Sequence, residues 1–226
     1  MKNLELAGLL LTQPRMAFER LREHPRFALP LWLLLIGNAA VVAWYYSAVD
    51  LEWFRQMILS GAQLNGQAPQ GAMPIARGPI LAISVIGSVC AILIIRLIEA
   101  GYYTLAGHVT SVQCTFRQWF AFALWVNAPQ VLSLIPSFLL LLLGDASRMD
   151  PGALQPASLN ELFFHRKMQE PGYSLLTSLN LFQVLVWWLT VLGVKVWSGR
   201  SVLFSAVFGL LPAVLVIGIW AAFSFR

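Results

Sequence analysis

Two opposite charges stand inside an apolar stretch of this chain, and they are the first candidates for chemistry. Arg96 and Glu99 are three residues apart, so on a helix their side chains share one face and can neutralise each other. Ionisable groups inside a membrane span are costly and mark functional sites by default. Two interpretations stay open. One is a structural pair in which Arg96 reaches the headgroups; the other is a polar cavity, lipid-headgroup site or ion path.

Other polar residues stand where they could join these charges. Tyr102 lies further along the same stretch, and Asn127 and Gln130 flank Pro129 in the next one. Proline removes a backbone hydrogen bond and kinks a helix, so both amides are expected beside a kink. Such amides serve as a clamp between helices or as the lining of a ligand cavity. The candidate intramembrane polar site comprises Arg96, Glu99, Tyr102, Asn127 and Gln130.

The residue types that catalysis or metal binding needs do not come together in the sequence. His24, His108 and His165 fall in three different regions, and no HExxH motif occurs. The two cysteines, Cys90 and Cys114, match no zinc or haem spacing. We therefore expect no enzymatic activity, no metal and no cofactor.

The elements that must position the polar residues are five long apolar stretches. Of the 226 residues, 58% are hydrophobic and 11% are charged, against about 25% charged in a soluble domain. About 20 apolar residues in a helix cross a hydrocarbon core of roughly 30 Å. The sequence predicts an all-α, polytopic transmembrane helical bundle of five spans with short interfacial helices. Within a transmembrane domain of residues 27–226, the spans cover about 27–49, 79–109, 119–143, 173–196 and 202–223.

Residues 1–26 are predicted to form a cytoplasmic amphipathic segment ahead of that domain. Within it, Pro14–His24 is typical of a short helix on the membrane surface, with Phe18 and Leu21 directed toward acyl chains. A solvated flank that only enforces orientation remains the alternative. The candidate lipid-headgroup contacts are Arg15, Arg20, Arg22 and Arg26.

The charge distribution predicts the topology. Basic residues are densest before the first span and in the short loops after the second and fourth spans. The positive-inside rule then places the N-terminus in the cytoplasm and, with five spans, the C-terminus outside. In the second external loop, Ser158-Leu-Asn-Glu161 has the capping-box pattern and predicts a short helix to about Met168. The first external loop ends in a Gly, Pro and Gln-rich stretch that is expected to be irregular.

Several segments of the chain resemble one family. TQPRMAFERLREHPRFALPLWLLL leads into the first span, GYYTLAGHVT ends the second helix, and the third carries NAPQVLSLI. The last hairpin reads LFQVLVWWLTVLGVKVWSGRSVLFSAVFGLLPAVLV. The pattern resembles the Yip-domain family of five-span membrane proteins, named for interaction with Ypt/Rab-type GTPases, in its bacterial form. The resemblance implies a helical bundle able to self-associate, in the bacterial inner membrane, and supplies no catalytic residues.

The sequence is compatible with two functions. The first is a non-enzymatic Yip-type membrane protein that organises membrane or binds lipids or partner membrane proteins. The second is an oligomeric transporter or channel for an ion or lipid-like solute that uses the intramembrane polar residues. In either case the expected partners are membrane lipids, with a homo-oligomer or a partner membrane protein as further possibilities. Nucleic acid is not expected, because the net charge of +5 comes from basic residues at the ends of apolar segments.

Overall fold

The described part of the chain consists of helices, joined by connections that range from one residue between α1 and α2 to the long segment between Leu143 and Tyr173. The computed structural model describes residues 3–64 and 76–225, except for the side chains of residues 61–64. The predicted irregular stretch of the first external loop therefore lies largely outside the described residues. The α-helices of the described chain are α1 (Asn3–Thr12), α2 (Pro14–Glu23), α3 (Ala28–Ala48), α4 (Leu51–Leu64), α5 (Arg77–Thr110), α6 (Phe116–Val126), α7 (Val131–Leu143), α8 (Tyr173–Ser178), α9 (Phe182–Ser198) and α10 (Val202–Ser224).

Four helical stretches are long and apolar enough to cross a membrane. They are Ala28–Ala48, Arg77–Thr110, Phe116–Leu143 and Val202–Ser224. In α5, 34 residues form one helix, which at about 1.5 Å per residue extends roughly 50 Å and exceeds the hydrocarbon core. Together with the shorter apolar helices, these spans establish the predicted all-α polytopic bundle.

The fourth predicted span differs from a single helix over 173–196. The structure has two helices there, α8 and the 17-residue α9, separated at Leu179–Leu181. Leu179 is extended, its carbonyl accepts from the Leu159 N–H at 2.7 Å, and the Leu181 N–H donates to Ala157 O at 3.1 Å. The helix is interrupted because this backbone pairs with the preceding loop. That long-range pairing has no signature in hydropathy.

The proline-containing third span is interrupted where a break is expected. α6 ends at Val126, a 3₁₀ turn covers Ala128–Gln130, and α7 continues from Val131. Pro129 has no N–H, so it cannot continue the α-helical hydrogen-bond ladder. Asn127 stands at the end of α6 as a consequence.

The described helices group into two compact units. The first contains the chain through Leu35, Ala91–Val131 and Phe182–Ile219. Its core is aromatic: Trp119 and Trp197 have ring centroids 5.0 Å apart, as do Phe122 and Trp197. Such tilted and edge-on pairs stabilise a core beyond the area they bury.

The second unit contains Ile36–Cys90, Leu132–Leu181 and Trp220–Arg226. Tyr45 is buried, and its hydroxyl donates to Met149 O at 2.8 Å. The Arg77 guanidinium donates to the carbonyls of Tyr46, Ser47 and Val49 at 2.5–3.0 Å. The last carbonyls of a helix lack intrahelical donors, so Arg77 satisfies the C-terminal end of α3 with a favourable charge.

The apolar face of α2 is directed into the protein and not toward acyl chains. The predicted surface helix is present, but Phe18 and Leu21 are 0% and 1% exposed in the core of the first unit. The Trp197 indole donates to Phe18 O at 2.8 Å. An amphipathic pattern specifies that one face is removed from water, and here α6 and α9 cover that face.

Candidate functional site

The charged pair on α5 is formed as its spacing predicts. Arg96 Nη1 donates to Glu99 Oε2 at 2.5 Å. Both side chains are largely withdrawn from the surface, with exposed fractions of 19% for Arg96 and 18% for Glu99. A charge inside a spanning helix requires a partner and further hydrogen bonds, and Arg96 supplies the first of these to Glu99.

Two donors from outside the pair complete the environment of Glu99. The Asn127 amide Nδ2 is 3.4 Å from Glu99 Oε2 and also donates to Ala123 O at 2.8 Å. The Tyr103 hydroxyl is 3.4 Å from Glu99 Oε1 and 3.0 Å from Gly209 O. An amide nitrogen has two hydrogens and can serve both acceptors, whereas the phenol has one hydrogen and shares it. The Glu99 cluster, defined as Arg96, Glu99, Tyr103 and Asn127, thus connects α5 with α6 and α10.

Tyr102 packs edge-on against Tyr103 of the Glu99 cluster, with ring centroids 5.4 Å apart, but its hydroxyl satisfies a different group. Its hydroxyl donates to Phe208 O at 2.9 Å. Phe208 is four residues before Pro212, which lies inside α10 and has no N–H to donate to that carbonyl. Tyr102 therefore supplies the hydrogen bond that the proline removes from the helix.

Gln130 lies apart from the Glu99 cluster. Its Nε2 donates to Gln183 Oε1 at 2.9 Å, which joins the 3₁₀ turn after α6 to the first turn of α9. Amide pairs of this kind hold helices together where no water is available. The five residues of the predicted polar site therefore occupy three places: Arg96, Glu99 and Asn127 together, Tyr102 against α10, and Gln130 against α9.

Sequence reasoning missed Tyr103, although a signal was present. Tyr103 is four residues after Glu99 on an uninterrupted helix, so the two side chains lie on one face. The buried phenol ring stacks on Phe208, with centroids 5.9 Å apart. The hydrogen bond from Tyr103 to the Gly209 carbonyl could not be predicted from the sequence, because it depends on how α10 packs against α5.

The four candidate headgroup arginines have different surroundings. Arg15 is exposed, and Arg20 Nη1 is 3.8 Å from Glu5 Oε1. Arg22 Nη1 donates to Trp197 O at 2.8 Å, and Gln118 Nε2 donates to Arg22 O at 2.7 Å. Arg22 is thus a structural contact between α2 and the bundle.

Arg26 is exposed, and a tryptophan holds its backbone in place. The Arg26 carbonyl accepts from the Trp125 indole at 2.6 Å. Together with Arg22, it fixes the segment that joins α2 to α3.

Helix α1 is a feature that the sequence analysis did not identify. Leu6 and Leu10 are buried in the core of the first unit, whereas Leu4 and Leu11 are 74% and 83% exposed. The run Leu4–Leu11 is too short to span a membrane, so its apolar residues gave no span signal. The helix has two apolar faces, one in contact with protein and one not.

This is an integral, polytopic membrane protein, because four of its helical stretches are long and apolar enough to span a membrane. The charges of Arg96 and Glu99 within one of these spans are paired with each other. Within that class, a family model, the Yip1 domain, matches residues 7–223, so the chain belongs to the Yip1 domain family. A search of curated proteins and a search of solved structures each found no significant match.

Proposed function

We propose that this protein is a non-enzymatic membrane organiser that binds anionic lipid through the helix pair α1–α2 and retains that lipid beside the bundle. The observation that carries the proposal is that α1 has two apolar faces of which only one is buried: Leu6 and Leu10 lie in the core, whereas Leu4 and Leu11 are exposed. A short helix with an outward apolar face and basic neighbours is suited to the headgroup region of a bilayer.

The contacts of α2 support a position at the membrane boundary. α2 is hydrogen-bonded to Trp197, the next-to-last residue of α9, and to Gln118 in the first turn of α6. The end of an apolar helix marks the level at which the polypeptide leaves the hydrocarbon core of the bilayer. A helix pair held there has its outward leucines at the depth of the glycerol and upper acyl groups.

Helices α1 and α2 carry equal numbers of acidic and basic residues, and their exposed arginines supply contacts for an anionic headgroup. Arg15 is exposed in the first turn of α2, and the side chain of Arg20 is 43% exposed beside Glu5. Each basic residue near an anionic bilayer contributes about 1 kcal/mol of attraction. Under this proposal the N-terminus faces the cytoplasm, lipids are the principal partner, and self-association or a partner protein would act on the same platform.

Native mass spectrometry of the protein released from mild detergent tests the proposal. We expect the native chain to retain phosphatidylglycerol in preference to phosphatidylcholine when both are supplied. The variant R15Q/R20Q should retain less, by about fivefold per arginine if each contributes about 1 kcal/mol. The matched control R55Q/R148Q removes two basic residues of the second unit and should retain the native amount.

A companion variant tests the apolar half of the platform. L4Q/L11Q changes two exposed side chains and leaves the buried face of α1 intact. We expect reduced lipid retention with an unchanged unfolding temperature. Native retention in both R15Q/R20Q and L4Q/L11Q, with folded protein, would refute the proposal.

One observation favours transport as a second candidate function. The Glu99 cluster places an Arg–Glu pair with side chains 18–19% exposed within a candidate span. Proteoliposome flux of protons or monovalent cations that is abolished by E99Q, and retained by E52Q on α4 outside the candidate spans, would favour transport. Absence of flux in native proteoliposomes would leave the cluster a structural clamp.

A further inference from the structure

We propose that the turn Leu162–Phe164 is a second membrane-contact surface, a preformed apolar wedge that inserts into the bilayer interface beside the C-terminal end of α10. The inference concerns a different unit from α1–α2 and does not depend on lipid binding there. Leu162, Phe163 and Phe164 are consecutive, and their exposed fractions are 40%, 66% and 53%. Consecutive apolar residues with this exposure mark an interaction surface.

The local backbone holds this turn in one shape. Asn160–Phe164 forms a single π-helical turn that ends at His165 with φ of 51°. The buried Asn160 accepts from Arg166 N and donates to Arg166 O, both at 3.0 Å. Ser158 is also buried, and its hydroxyl accepts from Glu161 N at 3.2 Å. Of the predicted capping box, the hydrogen bond from Glu161 N–H to the Ser158 hydroxyl is present, but the Ser158 N–H donates to Gln155 O and not to Glu161. The predicted helix to about Met168 is instead a π-helical turn that ends at Phe164.

Fixed contacts place the loop at the end of a spanning helix. The Gly172 N–H donates to Ser224 O, the last residue of α10, at 2.7 Å. The Arg166 guanidinium lies 5.5 Å from the ring centroid of Phe225, and its Nη1 donates to Pro171 O. The loop that carries Leu162–Phe164 is thus bound to the point where α10 leaves the membrane.

Lipid is the occupant that these contacts favour. Val216, Ile219 and Phe223 are exposed along the last turns of α10, an apolar helix that is a candidate span. That surface meets acyl chains up to the end of the helix, and the loop is held at the same end. Phe and Leu side chains on the apolar face of an interfacial segment bury into the boundary between headgroups and acyl chains. Lys167 is exposed after the turn and can contact phosphate groups.

Depth-dependent fluorescence quenching in proteoliposomes tests the wedge. In a C90S/C114S background, F163C carries a bimane probe on the turn, and E170C carries it at an exposed polar position of the same loop. We expect brominated phosphatidylcholine to quench the probe at 163 at least threefold more than the probe at 170. Aqueous iodide should show the reverse order.

A third variant tests the Asn160 side chain, whose two hydrogen bonds to the Arg166 backbone close the turn. N160A removes the side chain that closes the turn and leaves Leu162–Phe164 unchanged, so lipid quenching at 163 should fall toward the value at 170. If iodide quenches the probe at 163 more strongly than brominated lipid does while Asn160 is intact, the proposal is overturned. Shielding of residue 163 from both quenchers, with disulfide formation between copies at that position, would also overturn it and assign the turn to self-association.

Discussion

Two ion pairs of this protein share one helical spacing and differ in almost every other respect. On α5, Arg96 and Glu99 are 2.5 Å apart with side chains 19% and 18% exposed. On α4, Glu52 and Arg55 are 2.8 Å apart, and their side chains are 59% and 31% exposed. Each pair is therefore an arginine–glutamate contact at i,i+3, one in a candidate span and one outside the candidate spans.

The partners of the two carboxylates explain what the difference means. Glu52 accepts from Arg55 and from Gln56 on its own helix. Glu99 accepts from its own helix and also from Asn127 on another element, and Tyr103 connects it to the Gly209 carbonyl. The α4 pair is a local surface interaction of small value. The α5 pair is part of the contact between helices. Loss of one of its charges would leave the other unpaired and withdrawn from water, which costs far more than loss of a surface pair.

Removal of one charge from each pair should give the largest difference in unfolding free energy between the two regions. R96L leaves Glu99 withdrawn from water without its cation, and loss of one partner of a buried pair costs about 3–5 kcal/mol. We expect a large decrease in the unfolding free energy measured in mixed detergent and dodecyl sulfate. R55L should leave that free energy unchanged.

The double variant R96L/E99L is the control for that effect. It removes both charges and should be more stable than R96L, because no uncompensated carboxylate remains. If R96L is as stable as the native chain, the pair does not hold helices together and the transport interpretation gains.

Exchange of the two charges should give the next largest effect. R96E/E99R keeps an opposite pair at i,i+3 but places a guanidinium, which has no acceptor, beside Asn127 Nδ2. The amide would have to rotate and give up its hydrogen bond to Ala123 O before it could accept from that guanidinium. Each lost hydrogen bond to a charged group costs about 1.5–3 kcal/mol. The matched exchange E52R/R55E on α4 faces the amide of Gln56, which is exposed and can bond to water instead, so this variant should unfold like the native protein under the same conditions.

Features that depend on residues close together in the sequence could be predicted, whereas contacts between separate helices could not. Four of the five spans, the interruption at Pro129 and the Arg96–Glu99 pair depend on composition and on short spacings, so they could be predicted. Asn127 could be chosen as a buried amide, but its contact with Glu99 requires the packing of α6 against α5. An amphipathic pattern likewise cannot distinguish lipid from protein, and for that reason the sequence predicts Phe18 in acyl chains, whereas it lies in the core.

A smaller effect is expected at the neutral hydroxyl beside the Glu99 cluster. Y102F removes the donor to Phe208 O, the carbonyl that Pro212 leaves without an intrahelical partner. An unsatisfied buried acceptor costs about 1–3 kcal/mol. In a P212A background the backbone N–H gained at position 212 can serve that carbonyl, so Y102F should cost less there. A double-mutant cycle by dodecyl sulfate unfolding measures the coupling, and additive costs would refute the assignment.

The smallest effect concerns the protonation of the exposed pair. The Arg55 hydrogen bond, with a smaller contribution from Gln56, lowers the pKa of Glu52 below its ordinary value of 4.5. Because the folded-state pKa is lowered, the stabilising contribution is present above the unfolded-state value and is lost as the pH falls through the lowered pKa. R55Q should raise the pKa of Glu52 toward 4.5, measured by the carboxyl carbon shift in ¹³C-Glu-labelled protein, with no change in unfolding temperature at neutral pH. An unchanged pKa in R55Q would mean that Gln56 maintains the shift, and Q56A would then produce the rise.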